Sequence, residues 1–282
     1  MDWLTNFHSH CFFCDGCAPM EVFVHHAIAH HMNAYGISSH APVPFSSNWA
    51  MRKDDLDEYL REFHRLKQQY ENQIELYVGM EMDFLSKEKD SVFRTYQNLP
   101  LDYRIGSVHY IDTLDNGQLY WNIGGDPKNY KRAICELFGG DIRRMIRRYF
   151  QQTNEMIESA DFDIIGHVDK ITDLAERFYA HQFDPNEPWY LHLIDETFSL
   201  AKEYGKIIEI NTKGVETKHR TFPHRRHFRR IQELGIPVMV NSDAHKPDCI
   251  TCGFRETYQT LRECGFRTVR ILKNNRWTDM EL

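Results

Sequence analysis

Short apolar segments alternate with longer amphipathic ones along the chain, and this alternation limits the folds that the sequence can adopt. The strand-like segments are Leu4–Phe7, Tyr35–Ser39, Ile74–Met82, Tyr103–Val108, Phe162–Gly166, Lys206–Ile210, Ile236–Asn241 and a less regular eighth, Arg267–Leu272. The helix-like segments are Met20–Asn33, Asp54–Asn72, Lys87–Gln97, Asp141–Ser159, Pro188–Tyr204, Pro223–Leu234 and Phe254–Cys264. The pattern predicts an α/β protein with a parallel, barrel-like sheet. Since no linker or repeat interrupts it, we expect one domain over residues 1–282.

Composition excludes several classes of protein. The chain has 282 residues, 41% of them apolar, which is enough for one large core. Its formal net charge of −7 argues against a nucleic-acid partner. With neither a basic leader nor a run near the ~20 apolar residues of a membrane span, we expect a cytoplasmic protein without a membrane partner. Seven cysteines favour reduced thiols. Periodicity does not separate a barrel helix from an interface helix, so no oligomeric state is predicted.

Residues able to bind metal ions follow most of the predicted strands. They are His8 and His10 after the first strand, His40 after the second, Glu81 at the end of the third, His109 after the fourth, His167 after the fifth, and Asp243 and His245 after Ile236–Asn241. The carboxyl ends of barrel strands open onto one face, where active sites are built. We therefore expect these side chains to converge there.

Two of these motifs have the geometry of a chelating pair. His8-Ser9-His10 and Asp243-Ala244-His245 each place two potential metal ligands at alternate positions. In an extended segment alternate side chains point the same way, so both can reach one cation. Glu81 closes an apolar strand, where a buried carboxylate is costly unless it is paired or bound to metal. One such motif is a weak signal, but the set together predicts a metal centre.

The cysteines offer a rival metal site. Cys11, Cys14 and Cys17 form C-x-x-C-x-x-C, and Cys249 and Cys252 form C-x-x-C. Such spacing can hold zinc or an iron–sulfur cluster. The downstream partners of a zinc ribbon are missing, so we interpret these cysteines as small packing residues beside the histidine site.

The combined motifs resemble the PHP (polymerase and histidinol phosphatase) family, most closely its monofunctional histidinol-phosphate phosphatases. They are His8-Ser9-His10 with Asp15, Gly36-Ile37-Ser38-Ser39-His40-Ala41-Pro42, Gly79-Met80-Glu81, Ser107-Val108-His109, Gly166-His167-Val168-Asp169 and Ser242-Asp243-Ala244-His245. These motifs span nearly the whole chain in the family's order. Ser39 departs from the pattern, since many relatives have an acidic residue there, and Asp15 stands where some have histidine.

The resemblance implies a distorted (β/α)7 barrel that holds two or three divalent metal ions. Carried over by position, the ligand sets are His8, His10, Glu81 and Asp243 for one ion, Glu81, His109 and His167 for a second, and Asp15, His40 and His245 for a third. Mixed imidazole and carboxylate ligands suit Zn, Mn or Fe, and the sequence does not choose among them.

The resemblance also implies an activity, the hydrolysis of L-histidinol phosphate to L-histidinol and phosphate in histidine biosynthesis. Cations sharing Glu81 would acidify the attacking water, and either Asp243 or His245 would relay a proton to the leaving alkoxide. Arg177 and Arg220 occupy the places of the family's phosphate-binding arginines. Two alternatives stay open: a PHP phosphoesterase acting on nucleotides or another small phosphomonoester, and a non-catalytic metal-binding module.

Overall fold

The computed structural model describes residues 3–85, 92–111, 121–123 and 126–282. In chain order the strands are β1 (Thr5–Asn6), β2 (Ala34–Ile37), β3 (Glu75–Asp83), β4 (Tyr103–Ser107), β5 (Tyr110–Ile111), β6 (Trp121–Asn122), β7 (Ile164–Ile165), β8 (Ile207–Asn211), β9 (Val238–Asn241), β10 (Thr268–Lys273) and β11 (Arg276–Glu281). The helices are α1 (Met20–Ala29), α2 (Leu56–Gln69), α3 (Val92–Tyr96), α4 (Pro127–Leu137), α5 (Ile142–Ser159), α6 (Ile171–Phe178), α7 (Pro188–Glu203), α8 (Val215–Lys218), α9 (Phe228–Leu234) and α10 (Phe254–Glu263).

Seven parallel strands form a nearly closed barrel in the order β1-β2-β3-β4-β7-β8-β9. Just past the ends of β1 and β9, a parallel bridge joins Ser9 to Ala244. There the His10 amide donates to the Ala244 carbonyl at 2.8 Å. The expected distorted (β/α)7 barrel is confirmed.

The helices form where their apolar periodicity and their start signals agree. In α2 the residues Tyr59, Phe63 and Leu66 recur at helical spacing and are all buried. In α5 the side chain of Asp141 accepts a hydrogen bond from the Arg144 amide at 3.1 Å and caps the first turn. No helix among the described residues combines the length and apolarity needed to cross a bilayer.

The structure differs from the predicted secondary structure outside the seven barrel strands. The segment Arg267–Leu272 is a strand, but it pairs antiparallel with β11 outside the barrel and is not an eighth barrel strand. Helices α4, α6 and α8 were not predicted. The first residues of the predicted helix Lys87–Gln97 lie outside the described residues, and the described part of it is helical from Val92 to Tyr96.

Tyr103 lies fully buried inside the barrel, where its hydroxyl donates to the Phe7 carbonyl at 2.6 Å. A Cβ added to Gly36 would overlap that hydroxyl, and a Cβ added to Gly79 would overlap the Tyr103 ring. Two glycines on neighbouring strands thus make room for one tyrosine, which ties β4 to the chain just after β1.

We predict that Gly79→Ala destabilises the protein by roughly 1–3 kcal/mol, because the new methyl group must displace a packed ring. The thermal unfolding midpoint should fall by about 2–10 °C. Ser159→Ala, at the exposed end of α5, is the control and should leave the midpoint near that of the wild type. An unchanged midpoint in Gly79→Ala would contradict this packing argument.

Candidate metal centre

The carboxyl ends of the barrel strands bring together all nine residues that the sequence predicts as ligands. Among the described residues, four groups place potential ligand atoms within 4.8 Å of one another: His10, Asp15, His40 and His245; His8, His10 and Asp243; His40, Asp83 and His109; and Glu81, His109 and His167. The predicted ligands converge as expected, and Asp83 is a further potential ligand that the sequence did not predict.

Glu81 lies at the centre of this cluster and is 1% exposed. Its Oε2 atom is 3.1 Å from His8 Nε2, 3.5 Å from His10 Nε2 and 3.0 Å from His40 Nδ1. Three imidazole nitrogens from two different strand ends therefore face one carboxylate oxygen.

The other oxygen of Glu81, Oε1, is held by a different set of residues. It lies 2.8 Å from His167 Nε2 and 3.6 Å from His109 Nε2, and it accepts a hydrogen bond from Ser107 Oγ at 2.7 Å. A Cβ on Gly166 would overlap Ser107 Oγ. The small residue before His167 thus leaves space for the hydroxyl that orients Glu81.

Asp243 and Asp15 complete the cluster toward its exposed side. Asp243 Oδ1 lies 3.1 Å from His10 Nε2 and 3.4 Å from His245 Nδ1. Asp15 Oδ1 lies 3.2 Å from His245 Nε2 and 3.8 Å from His40 Nε2. Asp243 has a φ of 49°, in the left-handed region that few residues other than glycine adopt. Such strain is typical of functional positions.

The polar atoms at the centre fit a divalent cation. His8 Nε2, His10 Nε2, His40 Nδ1 and Glu81 Oε2 are buried and have no hydrogen-bond partner within the described part of the chain. Buried polar atoms are rarely left without a partner, because each costs free energy when it loses water. Imidazole nitrogen and carboxylate oxygen are common ligands of Zn, Mn and Fe, so one kind of bound ion would satisfy all four atoms.

The electrostatics of the cluster favour this interpretation. Burial lowers the pKa of His10 and His109 well below the usual value, so both rings are neutral. The pKa of Glu81 is held well below its usual value, since the charges of His40 and His8 outweigh the effect of burial. His8 differs: despite burial its pKa is raised, because Glu209 and Glu81 flank the ring. Neutral imidazoles beside ionised carboxylates are the protonation states that bind metal.

A cavity of about 440 Å³ opens beside the cluster. Its lining includes three lysines, Lys170, Lys213 and Lys218, and six of the predicted ligands: Asp15, His40, His109, His167, Asp243 and His245. A small anion in this cavity would meet both the metal ligands and the lysine ammonium groups.

Comparison with known proteins assigns the chain to a family. The PHP domain matches residues 6–213, about three quarters of the chain. The chain belongs to the PHP family. It is 28% identical over 235 residues to the "Probable histidinol-phosphatase" of Deinococcus radiodurans, with 82% of each chain covered. It is 24% identical to the protein of the same name from Schizosaccharomyces pombe, covering 94% of this chain and 88% of the relative.

A solved structure of similar fold comes from Lactococcus lactis. It is a histidinol phosphate phosphatase complexed with zinc, L-histidinol and phosphate. Its TM-score to this PHP chain is 0.71 at 17% sequence identity, and the match covers 97% of this chain and 98% of that one. The likeness supports the barrel assignment over nearly the full length of both proteins.

Two carboxylates of this PHP site, which orient the histidines, were not predicted from the sequence. Glu209 Oε1 lies 2.6 Å from His8 Nδ1, and Glu209 Oε2 accepts a hydrogen bond from the His167 amide at 2.9 Å. Asp83 Oδ1 lies 2.9 Å from His109 Nδ1. A carboxylate on the far nitrogen fixes the tautomer and the orientation of a metal-binding imidazole. Glu209 lies inside an apolar strand, as Glu81 does, and the same argument would have found it.

Arg177 and Arg220, which the sequence predicts to bind phosphate, lie away from the cavity and pair with carboxylates of the protein. Arg220 is buried, with Nη1 2.6 Å from Glu176 Oε1 and Nη2 2.9 Å from Asp169 Oδ2. Arg177 has a half-exposed side chain that lies 3.7 Å from Asp173. Neither of these two residues lines the cavity. Their charges are directed to carboxylates of the protein, although both follow strands on the expected face.

Two of the cysteines, Cys11 and Cys14, pack beside the site, as expected. Cys11 is buried with its Sγ 3.4 Å from Ser39 Oγ, and Cys14 Sγ lies 3.4 Å from His10 Nδ1. All seven thiols are free. The groups of potential ligands found in the described residues contain no cysteine, which favours the histidine and carboxylate site over the rival.

We predict that Glu209→Gln weakens zinc binding by about 10- to 100-fold, because His8 loses the charge that orients its ring. Zinc affinity is measured by competition with a chromophoric chelator, and circular dichroism checks that the variant is folded. Glu203→Gln, on the exposed end of α7, is the matched control and should bind zinc as the wild type does. Wild-type affinity in Glu209→Gln would show that this carboxylate does not support the metal centre.

Proposed function

We propose that this protein is a metal-dependent phosphomonoester hydrolase that converts L-histidinol phosphate to L-histidinol and phosphate. One observation carries the proposal: buried histidine and carboxylate atoms without partners meet beside a cavity lined by lysines, in a chain of the PHP family. The names of its relatives, and the L-histidinol and phosphate in the Lactococcus lactis structure, support the substrate. The reaction is a step of histidine biosynthesis, and we expect the protein to carry it out in the cytoplasm.

The proposed cofactors are two or three divalent ions, with Zn supported by the solved relative and Mn or Fe compatible with the same ligands. We propose His8, His10, Glu81 and Asp243 as ligands of one ion, Glu81, His109 and His167 of a second, and Asp15, His40 and His245 of a third. The proximity of potential ligand atoms within His8, His10 and Asp243, within Glu81, His109 and His167, and within Asp15, His40 and His245 supports this assignment. Divalent ions at these positions would acidify the attacking water and neutralise charge on the phosphate.

Two lysines take the place of the predicted arginines in binding the phosphate. Lys170 Nζ lies 3.1 Å from His109 Nε2, and Lys213 Nζ lies 3.1 Å from Asp243 Oδ1. Both residues line the cavity, so their ammonium groups can reach phosphate oxygens that approach the cluster. Asp243 and His245 line the same cavity and are the groups placed to relay a proton to the leaving alkoxide.

The substrate is tested by phosphate release from L-histidinol phosphate, AMP and short nucleotides. Metal-loaded protein should prefer L-histidinol phosphate in kcat/KM by more than about tenfold, since tenfold corresponds to only ~1.4 kcal/mol. A preference of that size for nucleotides would assign the chain to another PHP activity. Metal binding without hydrolysis of any phosphomonoester would instead favour a non-catalytic module.

The ligand assignment is tested with His10→Ala, which should remove most bound metal and most activity. The Nε2 atom of His10 faces both Glu81 and Asp243, so its loss removes a ligand atom from the centre of the cluster. His30→Ala, at the exposed end of α1, controls for the loss of a histidine. Unchanged turnover in His10→Ala would refute the assignment.

The phosphate role of Lys213 is tested with Lys213→Ala. Loss of a charge-assisted hydrogen bond, worth roughly 1.5–3 kcal/mol, should lower kcat/KM by about 10- to 100-fold while the metal content stays unchanged. Lys246 is exposed on the loop that follows His245, and Lys246→Ala is the control that should keep full activity. If Lys213→Ala also keeps full activity, the phosphate is held by other groups.

A further inference from the structure

One wall of the cavity carries groups for which phosphate hydrolysis has no use. This wall comes from α6, α8 and the segment after α8, and it contributes Asp173, Leu174, Thr217, Lys218 and Phe222. It combines one carboxylate with two apolar side chains. A phosphate would be repelled by such a carboxylate, so the wall suits a different part of the substrate.

Asp173 is the charged group of this wall, and it is 4% exposed. Its Oδ2 atom lies 2.5 Å from Lys218 Nζ and 3.7 Å from Arg177 Nη1. A buried carboxylate requires a positive partner, because its desolvation is otherwise uncompensated. The Lys218 ammonium therefore marks the position that a cation takes against Asp173 at the edge of the cavity.

Lys218 can leave that position when another cation takes its place. It is the last residue of the four-residue helix α8, and its side chain is 32% exposed. A long lysine side chain of this kind can turn its ammonium into water while its methylene groups stay packed. Another cation entering the cavity would then pair with Asp173 in its place.

Helix α6 connects this wall to the phosphate end of the cavity. Lys170, the residue before α6, faces the metal ligands, and Asp173 follows three residues later. Residues three apart in the first turn of a helix lie on the same face of the helix, with their Cβ atoms roughly 5–6 Å apart. A substrate whose phosphate lies near Lys170 would extend along α6 toward Asp173.

L-Histidinol phosphate has the chemistry that this arrangement would recognise. Its carbon chain carries an ammonium group and an imidazole ring beyond the phosphate ester. A protonated nitrogen complements Asp173, and the apolar side chains of Leu174 and Phe222 complement the carbon framework. We propose that Asp173 is a specificity-determining residue, which accepts a hydrogen bond from a protonated nitrogen of the leaving group after displacing Lys218. This inference rests on the proposed function.

The test compares Asp173→Asn with Lys218→Met on three esters. These are L-histidinol phosphate, 3-(imidazol-4-yl)propyl phosphate, which lacks the ammonium group, and 2-aminopropyl phosphate, which lacks the imidazole. Asp173→Asn should raise KM for L-histidinol phosphate by about tenfold or more with little change in kcat, since a hydrogen bond to a charged group is lost. The analogue without the engaged nitrogen should have the same KM in the variant and the wild type, which identifies that nitrogen.

Lys218→Met removes the same ion pair but keeps the carboxylate, so it separates recognition from a structural role. It should lower KM for L-histidinol phosphate or leave it unchanged, because the Lys218 ammonium no longer competes with the substrate for Asp173. The inference is overturned if Asp173→Asn leaves KM unchanged or raises it equally for all three esters. It is also overturned if Lys218→Met raises KM as much as Asp173→Asn does.

A binding measurement separates this inference from the proposed function. Zinc-loaded protein in saturating inorganic phosphate is titrated with L-histidinol in a calorimeter. The wild type should bind L-histidinol about tenfold or more tightly than Asp173→Asn does. Equal affinities, or no binding by the wild type, would overturn the inference. Absence of phosphate release from L-histidinol phosphate by the wild type would overturn the proposed function, whatever the calorimetry shows.

Discussion

The burial of the Glu81 carboxylate among imidazole nitrogens is the constraint on which the rest of the site depends. A carboxylate with 1% exposure is stable only if positive charge or hydrogen-bond donors replace its lost water. One oxygen has Ser107 as a donor, but the other faces ring nitrogens that make no hydrogen bond with any described residue. A cluster of this kind is complete when a cation binds. Metal binding and the stability of the strand ends are therefore coupled.

The barrel positions the cluster through the spacing of its strands and through residues behind the ligands. Neighbouring parallel strands lie about 4.7–4.9 Å apart, so polar residues at successive strand ends come within reach of shared ions. Behind the histidines, Glu209 and Asp83 fix the far nitrogens of His8 and His109. Glycine at position 166 gives Ser107 the space to orient Glu81. Residues that never contact the substrate thus determine where the ligand atoms point.

Much of this could be predicted from the sequence, because strand periodicity and strand ends are local features. The order of apolar segments predicted the seven barrel strands, and the residues after them predicted the converging ligands. Helix α4 was missed although Asp126-Pro127 and Gly139-Gly140 are ordinary start and stop signals. Helix α6 has only eight residues, so the segment is too short for its helical periodicity to stand out in the sequence.

The cations around the cavity could not be predicted in the same way. Arg220 follows a strand on the correct face, but Glu176 and Asp169, which are distant in sequence, draw its guanidinium away. Lys170 and Lys213 reach the cavity because of helix starts and turns that periodicity does not specify. A long side chain follows the carboxylates of its three-dimensional surroundings, so its position along the chain does not determine where its charge lies.

The most direct test of the central claim is anomalous diffraction from crystals of zinc-loaded protein at the zinc edge. The account predicts at least two peaks beside the Glu81 carboxylate, with ligand distances of about 2.0–2.2 Å to histidine nitrogens and carboxylate oxygens. Anomalous peaks confined to the cysteines, or no peak near Glu81, would contradict it.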